Sequence, residues 1–348
     1  MKLLKKTIEN IEKPNYVKMD EAKERLGNLT KPKGSLGKLE EIVIKLAGIT
    51  GNIYPNIDKK IQIIMAGDHG VAQEGVSAFP QEVTTQMVHN FLNEGAAINV
   101  LANQVGAKLK IVDMGMKDTI NSKKILIEKV KSGTNNMANE AAMSRQEAIA
   151  SIEAGIIIAN QVIKDGANLI GTGEMGIANT TASSAILAVL SDLPIKKIVG
   201  PGTGINQKSL NKKIKVIKKA ININQPNPED GIDVLAKVGG LEIAGMTGVM
   251  LSAAANNKAV IMDGLISGAA ALIAKNLNPK VVNYIFPSHK SAEPGHIKIY
   301  EKMKSSPLLD LEMRLGEGTG AVLAMPLMDS AVNIIKNMAT FSEAGVSQ

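Results

Sequence analysis

The chain has 348 residues, 45% of them hydrophobic and 21% charged, with a formal net charge of +7 and no cysteine. That balance belongs to a globular protein able to bury a sizeable core, and the missing thiols exclude disulfides and thiolate metal sites and fit a reducing, cytoplasmic setting. With aromatics at only 2%, the surplus positive charge lacks the stacking side chains of a nucleic-acid binder and favours small anionic substrates instead.

Residues 1–7 lack the apolar stretch of a secretory signal, and no run of about 18 apolar residues, the length a membrane span needs, occurs anywhere. The first 50 or so residues are rich in Lys and Glu and read as helices outside any sheet; they carry Lys31-Pro-Lys-Gly-Ser-Leu-Gly. Short apolar runs at 61–66 and 109–112 each end in a polar loop, Gly67-Asp-His-Gly and Asp113-Met-Gly. Residues 144–164 have helical spacing, and the next apolar run, 169–170, opens into Gly171-Thr-Gly-Glu-Met-Gly. Another, at 198–199, opens into Gly200-Pro-Gly-Thr-Gly. Leu210, Ile214 and Ile217 then fall at i, i+4, i+7, an amphipathic helix with its lysines on the solvated face. After a helical stretch at 239–256, runs at 260–262 and 281–286 end in Asp263-Gly and Pro287-Ser-His-Lys-Ser, and a last helix follows Gly320.

Short strands alternating with helices predict an α/β fold built on an open, mostly parallel six-stranded sheet covered on both faces. Ligands of such sheets bind beyond the carboxyl ends of the strands, where these polar loops converge. Residues 56–324 are assigned to this large domain, and residues 1–55 with 325–348 to a small helical one.

Gly171, Gly173 and Gly176 match the G-x-G-x-x-G spacing, which brings backbone N–H groups to a phosphate at a helix N-terminus. A dinucleotide oxidoreductase is one owner of that pattern, but it needs an acidic residue about 20 positions on. The 198–199 run ends in Gly200-Pro-Gly, with no carboxylate. Gly200-Pro-Gly-Thr-Gly and Gly316-Glu-Gly-Thr-Gly repeat the glycine chemistry, favouring a phosphate or ribose site, whether in an enzyme or in a non-catalytic nucleotide-binding module. Asp68-His69 has the look of half a metal site, yet the chain holds only four histidines; hydrogen-bonded loop residues are the expectation, and no metal. Neither G-x-S-x-G nor a Walker Gly-Lys-Ser/Thr occurs.

Glu317 stands between two glycines ahead of an apolar helix. It is either a general base, its pKa raised by apolar walls such as Leu315 and Met175, or a helix-start carboxylate favoured by the macrodipole. Glu174 is a second candidate on the same grounds.

Taken together, Lys31-Pro-Lys-Gly-Ser-Leu-Gly-Lys-Leu-Glu, Ala66-Gly-Asp-His-Gly-Val, Ser77-Ala-Phe-Pro-Gln-Glu-Val-Thr-Thr-Gln-Met, Gly171-Thr-Gly-Glu-Met-Gly-Ile-Ala-Asn-Thr-Thr, Gly200-Pro-Gly-Thr-Gly, Ser288-His-Lys-Ser-Ala-Glu-Pro-Gly-His and Leu315-Gly-Glu-Gly-Thr-Gly-Ala carry a resemblance. In this order they closely resemble the nicotinate-nucleotide–dimethylbenzimidazole phosphoribosyltransferase family, over nearly the whole chain. The resemblance implies a Rossmann-like fold with a small domain from both chain ends, a homodimer, and no cofactor. It implies transfer of the 5-phosphoribosyl group of nicotinate mononucleotide to 5,6-dimethylbenzimidazole, giving α-ribazole 5′-phosphate and nicotinate, a step of cobalamin lower-ligand assembly. By the same resemblance Glu317 is the general base, Ser77, Phe79 and Gln86 form a base pocket, and Met175 and Leu315 are its apolar walls. Glu174, Gly176, Gly202, Lys213, Asp263, Ser291 and Ala292 are implied to bind ribose or phosphate.

Overall fold

The computed structural model describes every residue except Asp192, Thr203 and Gln348, so the centre of the Gly200-Pro-Gly-Thr-Gly loop lies outside the described residues. The chain opens with α1 (Lys2–Glu9), α2 (Tyr16–Asn28) and α3 (Lys38–Thr50). Then come β1 (Lys60–Gly67), α4 (Val83–Leu92), α5 (Ala97–Gln104), β2 (Lys108–Gly115) and the short β3 (Ile125–Ile127). α6 (Arg145–Lys164) leads into β4 (Leu169–Met175) and α7 (Asn179–Leu190). Three helices, α8 (Gln207–Asn224), α9 (Gly231–Val238) and α10 (Leu241–Ala255), precede β5 (Ala259–Met262). α11 (Leu265–Leu277), β6 (Ile285–Pro287), α12 (Pro294–Met303) and α13 (Thr319–Asn337) follow.

All strands pair in parallel, in the order β3-β2-β1-β4-β5-β6. The chain leaves β1 toward β2 on one side and later reaches β4 on the other. Loops leaving these two neighbours diverge, which opens a crevice at their carboxyl ends. β1 is buried along nearly its whole length, so apart from the buried Gln62 its residues 61–66 are apolar without alternation. α10 is buried from Leu241 to Ala254 and packs against α6, α11 and the sheet, as a helix apolar all round must. α6 starts in a capping box, the Ser144 hydroxyl accepting from Glu147 N–H and Glu147 accepting from Ser144 N–H.

The expected α/β sheet is present with one exchange of members. Residues 198–199 are not a strand. Pro194 starts a 3-10 turn whose bonding runs on into them, Ile198 and Val199 N–H both donating to Ile195 O at 3.0 and 3.1 Å. Both side chains are buried, so the apolar pair fills core without joining the sheet. The sixth strand is β3, three residues at the sheet edge between Lys124 and Glu128, too short and too closely flanked by charge to stand out. The run at 281–286 is mostly a 3-10 turn, Pro279–Tyr284, and becomes β6 only at Ile285.

The two ends of the chain meet. Thr30 N–H donates to Ala339 O at 3.0 Å, Arg25 Nε to Ile335 O at 2.9 Å, and Leu29 bridges Thr340. α13 continues through residue 325, with Pro326 inside it, so one helix connects this terminal assembly to the crevice. Among the described residues no helix is long and apolar enough to cross a membrane.

Candidate active site

At the carboxyl ends of β1, β4 and β5 lies a cavity of about 430 Å³, within the range that small-molecule sites occupy. Phe79, Met175, Leu315, Glu174, Gly176, Gly202, Ser291 and Glu317 all line it, so loops far apart in sequence converge there. Lys213 reaches the same place from α8: its Nζ donates to Thr180 Oγ1 at 2.8 Å, and a Cβ added at Gly202 would lie 3.2 Å from that Nζ. A larger hollow of about 720 Å³ opens between α3 and α12, lined by Lys38, Lys45, Phe286 and Tyr300; it contains none of the expected residues.

The remaining candidates sit outside the cavity lining. Ser77 Oγ accepts from Phe79 N–H at 3.2 Å, holding the turn that carries Phe79. Gln86 is exposed on α4, while Val83 and Met87 of the same helix line the cavity. Ala292 is exposed and its N–H is taken by Met313 O at 2.9 Å. Asp263 is buried behind the lining, where its carboxylate accepts from Gly318, Gly320 and Ala321 N–H.

Glu317 occupies an unusual backbone. Gly316, Glu317 and Gly318 have φ of +86°, +63° and +90°, three left-handed residues in succession, a conformation that costs a glutamate roughly 1–2 kcal/mol. The turn thrusts the carboxylate into the cavity at 6% exposure. Its Oε2 accepts from Ile98 N–H at 3.4 Å, so the helix terminus it meets is that of α5 and not of the α13 that follows it. Burial pushes the Glu317 carboxyl above the usual carboxylate range, the Ile98 bond opposes this, and the Asp263 charge adds to it. Leu315 contributes little to that burial, being 57% exposed at the cavity mouth beside Phe79 at 53%.

Glu174, the sixth residue of β4, is pushed up to about 8, by burial first and then by the charges of Asp263 and Glu242. Asn179 Nδ2 donates to its Oε2. At neutral pH the site therefore presents a protonated Glu174 near the raised carboxyl of Glu317.

The glycine motif has a different cause from the one its spacing implies. β4 continues through Gly171 and Gly173 to Met175, so the first two glycines are strand residues and not a phosphate loop. A Cβ at Gly171 would lie 1.9 Å from Gln62 Oε1, and one at Gly173 would lie 2.6 Å from Glu317 O. The missing side chain of Gly171 makes room for Gln62, and that of Gly173 lets the Glu317 turn press against the strand.

The cradle expected at Gly202 is also already engaged: its N–H donates to Glu293 Oε1 at 2.8 Å and its O accepts from Arg314 Nη1 at 3.2 Å. Glu293, Arg314 and His289 line the cavity and were not picked out from the sequence, although each lies inside or beside a quoted motif.

Burial pushes the Lys213 ammonium down to about 8, with Glu293 opposing. Buried histidines brace the loops. His69 Nε2 meets Glu242 Oε1 at 2.7 Å, and His296 Nδ1 accepts from Ser291 N–H at 2.9 Å. Burial, then His289, holds His296 down at about 3. No group of His, Asp and Glu among the described residues is clustered as a metal ion requires.

The comparisons with known proteins converge on one family. A family model described as phosphoribosyltransferase matches residues 11–346. A nicotinate-nucleotide–dimethylbenzimidazole phosphoribosyltransferase of Desulforamulus reducens is 53% identical, covering all of both chains. One of Chloroflexus aggregans is also 53% identical over all of this chain and 99% of its own. Among solved structures, CobT from Thermus thermophilus superposes with a TM-score of 0.92 at 41% identity, over 95% of this chain and 99% of that one. No dinucleotide oxidoreductase is needed to explain the glycines, and similarity of this extent settles the class: the chain belongs to the nicotinate-nucleotide–dimethylbenzimidazole phosphoribosyltransferase family.

Proposed function

We propose that the chain transfers the 5-phosphoribosyl group of nicotinate mononucleotide to 5,6-dimethylbenzimidazole, with Glu317 as general base, working in the cytoplasm as a homodimer. The observation that carries this reading is the buried carboxylate of Glu317, held on a left-handed turn and aimed into a cavity with an apolar mouth. Nicotinate departs from a pyridinium, so its nitrogen gains an electron pair and needs no acid. The incoming benzimidazole attacks C1′ through one ring nitrogen and must shed the proton on the other. One base is therefore enough, unlike the carboxylate pair of glycoside hydrolysis. Attack opposite the leaving group turns the β-nucleotide into the α-linked product, which requires the two bases to lie on opposite faces of the ribose.

In this reading Phe79, Val83, Met87, Met175 and Leu315 form the slot for the planar base, and Glu174, protonated at neutral pH, faces the ribose. The phosphate is held by Lys213, Arg314 and the N-terminal turn of α7, whose Asn179 and Thr180 line the cavity. A helix start offers a favourable dipole for an anion. Exposed Phe79, Leu311 and Leu315 support the homodimer, since a second copy would cover them.

The direct test mixes the protein with nicotinate mononucleotide and a benzimidazole, without metal or ATP, and follows nicotinate release. Binding of the nucleotide without turnover would leave only a binding module; no binding would remove the reading altogether. Lys213→Met should raise the KM for nicotinate mononucleotide by about 10- to 100-fold, the worth of one charged hydrogen bond, with a much smaller change in KM for the base. Steady-state kinetics with each substrate varied in turn decides it; equal changes in both would take Lys213 away from the phosphate.

A further inference from the structure

We propose that Asp263 is a positioning residue for Glu317, acting through the backbone of the 316–321 turn and not through contact with the ribose. This rests on the transferase reading above. Helix α13 has Gly318 as its N-cap and therefore no capping side chain of its own, yet a helix start needs partners for its first N–H groups. Asp263, at the end of β5, supplies them. Oδ2 accepts from Gly318 N–H at 3.1 Å, and Oδ1 accepts from Gly320 and Ala321 N–H at 2.8 and 3.2 Å. The carboxylate is 2% exposed, absent from the cavity lining, and has His289 Nδ1 3.8 Å from Oδ1. Those bonds take three of the carboxylate's roughly four acceptor positions, and its burial behind the lining keeps the remainder out of a ribose hydroxyl's reach.

The residue so clamped is the neighbour of Glu317. Three successive left-handed residues persist only where the surroundings dictate them. Here the turn is gripped on two sides. Gly173 of β4 abuts Glu317 O, and Asp263 holds the N–H groups that follow. A Cβ at Gly320 would collide with both His289 and Asp263 Oδ1, so the clamp leaves no slack. Loosening it moves the base relative to the proton it takes, while the donor's phosphate and pyridinium contacts, made elsewhere, stay as they are.

The test is a double-mutant cycle on Asp263→Asn and Glu317→Gln, read as kcat and donor KM, with calorimetric titration of nicotinate mononucleotide. Asparagine keeps one acceptor oxygen but turns an N–H donor toward Gly318 N–H. Asp263→Asn is expected to lower kcat by about 100-fold, the cost of an ångström-scale misplacement, with donor KM and Kd unchanged. The double variant should be no slower than Glu317→Gln alone, because Asp263 has nothing to position once the base is gone. A donor KM or Kd that rises in step with the loss of kcat would put Asp263 on the ribose and overturn the proposal, as would multiplying effects in the double variant or a wild-type rate in Asp263→Asn. Should Asp263→Asn fail to fold, Asp263→Ser, with a shorter acceptor, takes its place with the same expectations. Amide exchange at Gly318, Gly320 and Ala321 separates the two readings: it must quicken in the Asp263 variant even if the wild-type chain turns over no substrate. Unchanged exchange there also overturns the proposal.

Discussion

Glu317→Gln is expected to lower kcat by about 100-fold or more, the usual worth of a positioned general base, while leaving the affinity for nicotinate mononucleotide nearly intact. Glutamine keeps the shape and can still accept from Ile98 N–H, so the turn survives and only proton acceptance is lost. The pH dependence separates this role from a structural one. Burial and Asp263 hold the Glu317 carboxyl above its ordinary value, and the base works only when ionised. In the wild type, kcat should therefore climb as pH rises through that raised value and then level off, until Glu174 ionises near 8. In Glu317→Gln the acidic limb disappears. A variant with a near-normal rate, or one that keeps the limb, would leave Glu317 only the role of capping α5, the bond its Oε2 makes.

Legibility from sequence alone followed the physics of each element. The runs at 61–66 and 260–262 are central strands of a parallel sheet, buried on both faces, and such strands carry their signal in composition alone. At 198–199 the same composition served a buried turn, because two apolar residues after a proline fit a 3-10 bend as well as a strand. β3 escaped notice for the opposite reason, its pairing coming from the free edge of β2 and not from any length of its own. At Gly171 and Gly173 the glycine spacing reflects close packing around a strand. Spacing records that side chains are missing, not which neighbour fills the room, and at Gly171 and Gly173 the neighbours are Gln62 and the Glu317 turn. Residues of several long motifs meet at one cavity. What they could not convey is division of labour within it: that Asp263 faces a helix start, and that Glu293 and Arg314 hold Gly202 from either side. Those are long-range partnerships, and single-chain patterning carries no trace of them.

The largest stability effect is expected at Glu242. With His69 it forms a pair 1% and 0% exposed, joined at 2.7 Å, beneath the crevice between the β1 loop and the first turn of α10. Burial alone would push the His69 imidazole down, but the charge and hydrogen bond of Glu242, with Asp68 adding, more than offset it, and its pKa ends above the ordinary value. Removing one member of a buried pair strands the other, so Glu242→Ala should destabilise the fold by about 3–5 kcal/mol. The sign of the pH dependence follows from the raised histidine. Its contribution is full below the unfolded value of about 6.5 and fades as pH rises through the higher folded value. The gap between wild type and Glu242→Ala should accordingly be wider at pH 6 than at pH 9 in urea unfolding curves. A gap independent of pH would mean that His69 stays neutral in the fold and that the contact is an uncharged hydrogen bond. The consequence reaches the active site as well, since Glu242 is one of the charges that hold Glu174 protonated. Taking it away should let Glu174 ionise at lower pH, and the upper limb of the kcat profile should move down with it.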